Sequence, residues 1–408
     1  MRIAVFTPYL PWPPDTGGKI RSYHLLLALA ARFEVDLYTV DYGEAPPEPS
    51  IETLRKHCRE ITVFRLDKSW RTRDRLRRVL APLPRSVDYF HTLASLAEAR
   101  QRLQMGGYDL IVADEICMAP YAELAPGLPR LVARQKVDHL HYREMASARP
   151  WGVEKWLDWL ESIKLRRYEK AKMPLFQAFV ACSEQDKALI QPDAPQAQSM
   201  VIPNGVDLQT FVALADRPRD PPVLLYIGSM NYYPNIDAAT WFFEAIYEPI
   251  RQAVPGVQVQ VVGHAPPPDI QRLARSPDIE ITGSVPDVRP YYAQASVFIV
   301  PLRLGGGTRL KIVEAMAMGI PVVSTTVGAE GLDTRPGEDI WIANDPMSFA
   351  QGVLHLLSDA ELRRRLIAGG RDVARRYDWT ELIKPYADLA AATVQRWTSK
   401  RTTCASPG

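Results

Sequence analysis

The stretch from Val297 to Leu332, VFIVPLRLGGGTRLKIVEAMAMGIPVVSTTVGAEGL, constrains the chain more than any other. Its first residues, Val297 to Val300, form a continuous apolar run that predicts a buried strand. Gly305, Gly306 and Gly307 break the run, Thr308 is placed to cap a helix reaching about Met318, and Gly319 closes that helix. After Pro321 a second apolar strand runs from Val322 to Thr325. Strand, glycine turn, helix and strand make a βαβ unit, and in open parallel sheets ligands sit at the carboxyl ends of the strands. The turn brings backbone N–H groups and the positive helix start to that edge. Arg309 and Lys311 add two full charges there, and Glu314, one turn after Lys311, looks back toward the same face. Phosphate donors beside a carboxylate that accepts hydroxyls suit a nucleotide or a nucleotide sugar. The glycines fit neither the Walker loop nor the GxGxxG fingerprint, and Gly-rich turns also occur in α/β proteins that bind no phosphate.

The same grammar runs through the rest of the chain. Ile3 to Thr7 predicts a first strand, followed by the loop PYLPWPPDTGGK, a helix from about Ile20 and a second strand from Val35 to Val40. Gly17 and Gly18 are expected just before that helix, a second place for backbone amides to meet a phosphate or sugar. Further strands are predicted at Tyr108 to Ala113, Leu131 to Val137 and Ala178 to Ser183, with Ser183 capping the helix after it. Asp114 and Glu115 fall at one strand end; Asp138, His139, His141 and Arg143 fall near another. His139 and His141 would share a face if the chain were still extended there, but no third Cys or His lies nearby to complete a metal set. In the second half, strands are expected at Val223 to Ile227, Val257 to Val262 and Ile279 to Thr282, each running into glycine. A helix from about Asp237 to Val254, another started by Asp287, a long one from Val353 to Arg376 and a last amphipathic one from Trp379 to Trp397 complete the reading.

A chain of 408 residues is too long for one ordinary core, so two domains are expected. The turn Pro203-Asn204-Gly205 and the Pro-rich DRPRDPP place their boundary between about 203 and 222. Net charge is +2 with 24% charged residues, which gives no global case for nucleic-acid binding. The exception is residues 65 to 85, where Arg65, Lys68, Arg71, Arg73, Arg75, Arg77, Arg78 and Arg85 face only Asp67 and Asp74. With apolar residues interleaved, such a segment suits an anionic membrane surface or an anionic acceptor, or is simply a solvated helix face. Four scattered cysteines fit a reduced, cytoplasmic compartment, the first residues read as strand and loop rather than a leader, and no apolar run is long enough to span a bilayer.

The order of these motifs resembles family 4 of the retaining glycosyltransferases. The resemblance rests on the Gly17-Gly18 loop, VIPNGVD at Val201 to Asp207, GSMNYYPNIDA at Gly228 to Ala238, and Val285 to Leu332. It implies an α/β GT-B fold of two facing Rossmann-like domains with a cleft between them. Residues 1–203 would form the acceptor-side domain, rejoined by the helix 380–397; 204–379 would form the donor domain, and 398–408 a mobile tail. It further implies transfer of a sugar from a nucleoside diphosphate sugar to a hydroxyl acceptor with retention of anomeric configuration. No metal or other cofactor is implied, and the branch that looks most similar is tied to bacterial exopolysaccharide and surface glycans. The protein would be cytoplasmic, with residues 65 to 85 touching the inner face of the membrane.

Site residues follow position by position. Glu314 matches the family carboxylate that holds the ribose hydroxyls, whereas the acid eight residues earlier is replaced by Gly306. Sugar contact would then rest on backbone amides of Gly306, Gly307 and Thr308. The family Arg and Lys that grip the diphosphate are replaced by Ser229, just after Gly228, and by Pro234. Arg309 and Lys311 are the natural substitutes. Val285 falls where the family backbone meets the nucleobase. In the first domain, Asp138 falls on an acidic position. Gln135 falls on a sugar-contacting histidine, but a shifted register puts His139 there and the sequence does not choose. Two rival readings are a sugar-nucleotide epimerase of the same fold, which would need convergent carboxylates, and a non-catalytic scaffold.

Overall fold

A computed structural model describes residues 1–41, 48–66, 79, 81–149, 151–215, 220–230, 232–305 and 310–405, without the side chains of 148, 275 and 401–405. The chain divides into two compact units, Met1–Pro203 with Ile383–Gly408, and Asn204–Leu382.

The first unit holds a parallel sheet of strands β1 (Arg2–Thr7), β2 (Glu34–Asp41), β3 (Glu60–Arg65), β4 (Leu110–Asp114), β5 (Arg130–Ala133), β6 (Ala178–Ala181) and β7 (Gln198–Val201). Their spatial order is β3-β2-β1-β4-β5-β6-β7. The order reverses between β1 and β4, and a doubly wound sheet opens a crevice at the carboxyl ends of such a pair. The central strands read as unbroken apolar runs because helices cover both faces; Ile3, Ala4, Leu110 and Ile111 have no exposure at all. The last helix, Lys384–Ala405, belongs to this unit, and Trp397 donates its indole N–H to the Gly127 carbonyl at 3.2 Å.

The second unit repeats the plan with β8 (Val223–Ile227), β9 (Gln258–Val262), β10 (Ile279–Gly283), β11 (Val297–Val300), β12 (Val322–Ser324) and β13 (Trp341–Ile342). The order is β10-β9-β8-β11-β12-β13, with all pairs parallel and the reversal between β8 and β11. Gly263 is dictated by packing: a Cβ there would lie 1.8 Å from the Gly228 carbonyl oxygen, so the ends of β8 and β9 approach each other only without a side chain.

Several elements depart from the sequence reading. Gly17 and Gly18 do not precede the first helix; they form its first turn, Gly17–Ala30, because the Thr16 hydroxyl caps it. The strand expected through Val137 stops at Ala133, and Asp138–Ala148 is a helix, so His139 and His141 lie about 200° apart around its axis and cannot act as an extended-chain metal pair. The helix expected over 353 to 376 is two, Pro346–Ser358 and Ala360–Arg376, because the Asp359 carboxylate accepts from the N–H groups of Glu361 and Leu362 and starts the second. The segment expected as a tail from 398 is helical through Ala405.

Candidate functional site

In the second unit the carboxyl ends of the strands gather Gly228 and Ser229, Gly263 and His264, Gly283 to Val285, and Pro301 to Gly305. Gly305 adopts φ +91°, the left-handed turn that the glycine run predicts after β11. Gly306, Gly307, Thr308 and Arg309 lie outside the described residues. The helix resumes at Leu310–Met318 and is buried from Ile312 onward.

Lys311 and Glu314 meet, as their spacing implies. Lys311 Nζ lies 2.9 Å from Glu314 Oε2, and the fully buried Tyr292 donates its phenol O–H to the same oxygen at 3.0 Å. Tyr292 comes from the helix Arg289–Gln294, and burial followed by the Glu314 charge drives its acidity far below an ordinary phenol's. Lys311 therefore does not stand alone at the helix start; it shares the carboxylate matched to the ribose. Val285 is half-buried against the core, and the His264 ring Nδ1 lies 2.7 Å from the Ser284 hydroxyl beside it. Ser229 presents its carbonyl to the Asn235 amide at 2.8 Å.

One cation of this edge escaped the sequence reading. Arg303, at the end of β11, forks onto Asp237 at 3.0 and 2.6 Å and lies 5.2 Å from the centroid of the Trp241 ring. The signal was present as a basic residue three positions beyond a buried strand, but its acidic partner is on another element. A cavity of about 420 Å3 lies elsewhere, among Pro222, Ser296 and Pro321 at the amino ends of β8, β11 and β12. Ligands of doubly wound sheets bind at the opposite edge.

In the first unit, Gln135 reaches the glycine turn. Its Nε2 donates to the Tyr9 hydroxyl at 2.9 Å and to the Gly18 carbonyl at 3.4 Å. A Cβ on Gly18 would sit 2.4 Å from the Tyr9 hydroxyl, so only glycine permits this approach. His139 is engaged elsewhere: its Nδ1 contacts Glu169 Oε2. Burial opposes the charge on Glu169, but Arg134 and His139 outweigh it and hold its carboxyl at about 2. An ionised carboxylate only accepts, so His139 Nδ1 donates, and in the neutral ring Nε2 becomes the acceptor. Burial pulls the half-buried His141 down to about 4, so its ring is neutral near pH 7.

These groups surround Arg134, which is 1% exposed and lies 2.6 Å from Glu169, 3.0 Å from Asp138 and 3.9 Å from Glu115. One guanidinium cannot neutralise three carboxylates. Burial, followed for Glu115 by the Asp138 charge, raises the pKa values of both Glu115 and Asp138. Glu115 also holds φ +80°, a conformation side chains rarely adopt, with Oε1 accepting from the Gln135 backbone N–H at 3.0 Å. Neighbouring Asp114, which accepts from the Ser22 hydroxyl, is raised to about 6 by burial. Gln135, Asp138 and His139 are thus brought to one strand edge by partners distant in sequence, with Arg134 and Glu169 35 positions apart and Gln135 and Tyr9 126. Among the described residues no three His, Cys, Asp or Glu side chains are grouped to hold a metal.

The basic segment 65 to 85 lies mostly outside the described residues. Arg65 is exposed at the end of β3, whereas Arg85 is taken up by Glu161, 3.3 Å away, and does not belong to a free basic face.

Residues 16–210 match the profile of Glycosyltransferase Family 4 and residues 221–359 that of Glycosyl transferases group 1. The chain is 28% identical over 221 residues to a phosphatidyl-myo-inositol mannosyltransferase of Mycobacterium tuberculosis, a match covering 50% of this chain and 57% of the relative. It therefore spans a little over half the length of that relative. Among solved structures, sucrose-phosphate synthase from Thermosynechococcus elongatus superposes with a TM-score of 0.68 at 20% identity, covering 99% of this chain and 100% of that one. Anabaena HepE, crystallised with UDP-glucose, superposes at 0.65 and 15% identity over 96% and 100%. At these identities the structural likeness establishes the fold: two Rossmann-like domains of the GT-B type.

Proposed function

For a chain that carries both domains of a GT-B glycosyltransferase, we propose transfer of a sugar from a nucleoside diphosphate sugar to a hydroxyl acceptor, with retention at the anomeric carbon and without a metal. The observation that carries this reading is the Lys311–Glu314–Tyr292 cluster at the helix after the glycine loop. It presents a buried carboxylate beside a cation at the edge where a parallel sheet binds its ligand. Glu314 accepts the ribose hydroxyls; Lys311, Arg309 and the loop amides meet the diphosphate, with Arg303 at the neighbouring strand end. As the bond from anomeric carbon to diphosphate oxygen breaks, positive charge held in place stabilises the leaving group. The acceptor oxygen bonds to the same face of that carbon and its proton passes to the departing phosphate.

In the first domain Gln135 and Gly18 offer polar contacts to a sugar, and His139, oriented by Glu169, accepts a hydroxyl through Nε2. Asp138 acts by holding Arg134 and the start of the helix that carries His139. The donor matches the kind of ligand found with HepE, so UDP-glucose is the first probe. The intact chain should gain thermal stability with UDP or UDP-glucose, as any ligand of the native state does. A full panel of nucleoside diphosphates and their sugars with no shift would refute the donor reading.

A further inference from the structure

Glu115 carries two features that a fold normally avoids. It follows β4 with φ +80° and ψ 153°, a region of backbone space essentially reserved for glycine. Among the described residues other than glycine, only Ala265 also holds a positive φ. The conformation is pinned from both sides: the Glu115 N–H donates to the Ala133 carbonyl at 2.8 Å, and its carbonyl accepts from the Met118 N–H at 3.1 Å. A glycine would make this turn without strain. The side chain is the second feature. It is 12% exposed, and its enclosed Oε2 accepts no hydrogen bond, because Arg134 Nε, 3.9 Å away, is beyond hydrogen-bond reach. An apolar side chain or a glycine would spare the fold a carboxyl so poorly satisfied.

Glu115 stands where a ligand is expected. β4 pairs with β1 on one side and β5 on the other, and the strand order reverses between β1 and β4. A doubly wound sheet takes its ligand in the crevice at the carboxyl ends of such a pair. Glu115 Oε1 accepts from the Gln135 backbone N–H at 3.0 Å, and the Gln135 side chain continues to Tyr9 and Gly18. The polar contacts offered to a sugar from the ends of β1 and β5 therefore adjoin this carboxyl, whose Oε1 keeps a second lone pair. A carboxyl pairs with an alcohol in either protonation state, since a hydroxyl both donates and accepts. We infer that Glu115 is a sugar-binding residue, its carboxyl hydrogen-bonded to a hydroxyl of a neutral sugar in the β1–β4 crevice. The strained backbone aims the carboxyl there. The class of ligand rests on the sugar transfer proposed above, and no proton transfer is assigned to Glu115. The same contact serves a hydroxyl of the transferred sugar or of a sugar acceptor, and the test separates the two.

The test compares Glu115→Gly, Glu115→Ala and Glu115→Gln with the parent, all in the intact chain. Gly and Ala remove the same carboxyl, so the Gly variant should unfold at the higher urea midpoint because it alone relaxes the backbone. A midpoint at or below the Ala variant's would overturn the strain and the inference with it. Affinity for glucose, galactose and mannose is read by saturation-transfer NMR, and affinity for UDP and UDP-glucose by calorimetry. The Gly variant should lose about tenfold in affinity for a free hexose or for UDP-glucose, as loss of one hydrogen bond does. UDP affinity should hold, and Gln should restore most of the loss. A loss on free hexoses assigns the hydroxyl to an acceptor, and a loss on UDP-glucose assigns it to the transferred sugar. A Gly variant that matches the parent on every sugar ligand would overturn the inference. So would UDP affinity falling in step with the sugars, the mark of a purely structural residue, or a parent that binds none of these sugars. Binding is read without turnover, so a chain that binds a sugar through Glu115 and transfers none sustains this inference and refutes the proposed activity.

Discussion

Glu314→Ala tests the donor cluster from two sides. In the folded chain Glu314 is 3% exposed and accepts from Tyr292, which has no exposure, and from Lys311. Truncation removes one of the phenol's two acceptors and leaves it the Lys311 carbonyl at 3.1 Å, so the loss is that of one hydrogen bond, about 0.5–1.5 kcal/mol. Loss of one buried methylene adds about 0.8 kcal/mol. The lysine pair adds about 0–1 kcal/mol, because Lys311 is 39% exposed and water replaces its partner. The expected destabilisation is about 1–3 kcal/mol, read as a lower urea midpoint at unchanged slope. Glu314→Gln keeps an oxygen for Tyr292 and should cost no more than about 1–2 kcal/mol. It removes the charge, however, so UDP affinity should fall about tenfold or more if charge-assisted ribose bonds are lost. An alanine variant that unfolds at the parent's midpoint would refute the packing argument. A glutamine variant with the parent's UDP affinity would refute the ribose role.

Other consequences follow from the same geometry. Burial lifts the folded pKa of Asp114 to about 6, above the ordinary 3.8 of an aspartate, so the native state binds the extra proton and stability falls as pH rises across that window. Urea unfolding from pH 4 to 7 should show the parent losing on the order of 3 kcal/mol more than Asp114→Asn, since the raised Glu115 and Asp138 titrate in both; matching slopes would contradict the buried, unneutralised carboxyl. Lys311→Ala should lower turnover by on the order of a hundredfold, as removal of one positioned electrostatic donor does; full turnover would mean that other cations carry the diphosphate. Gly18→Ala should displace Tyr9 or Gln135 and reduce turnover with little change in UDP affinity, and normal kinetics would show that this approach is not required.

Much of the fold was legible because its central strands are buried on both faces. Val297 to Val300 and Val223 to Ile227 are continuous apolar runs, and the structure places strands over those residues. The edges were not. β3 carries Glu60 and Arg65, β7 is Gln-Ser-Met-Val, and β13 is only two residues, so none shows the pattern of a strand covered on both sides. The helix Asp138–Ala148 buries little apolar surface and gives no helical periodicity, which is why its histidines were read as extended. Within the site, Lys311 and Glu314 could be paired by spacing along one helix. Tyr292 with Glu314, Arg303 with Asp237 and Arg134 with Glu169 could not, because each joins residues from different elements. Spacing also could not decide between Gln135 and His139; the fold separates them by bringing one to Gly18 and tying the other to Glu169.

The most direct test of the proposed activity is product analysis by proton NMR. The intact chain is incubated with UDP-glucose and other nucleoside diphosphate sugars, each with a panel of hydroxyl acceptors and no added metal. Sugar transfer with retention predicts acceptor-dependent release of the nucleoside diphosphate and a glycoside whose anomeric coupling matches the donor's. Binding of nucleotide with no turnover of any donor would contradict the transfer, and a product of opposite anomeric configuration would contradict retention.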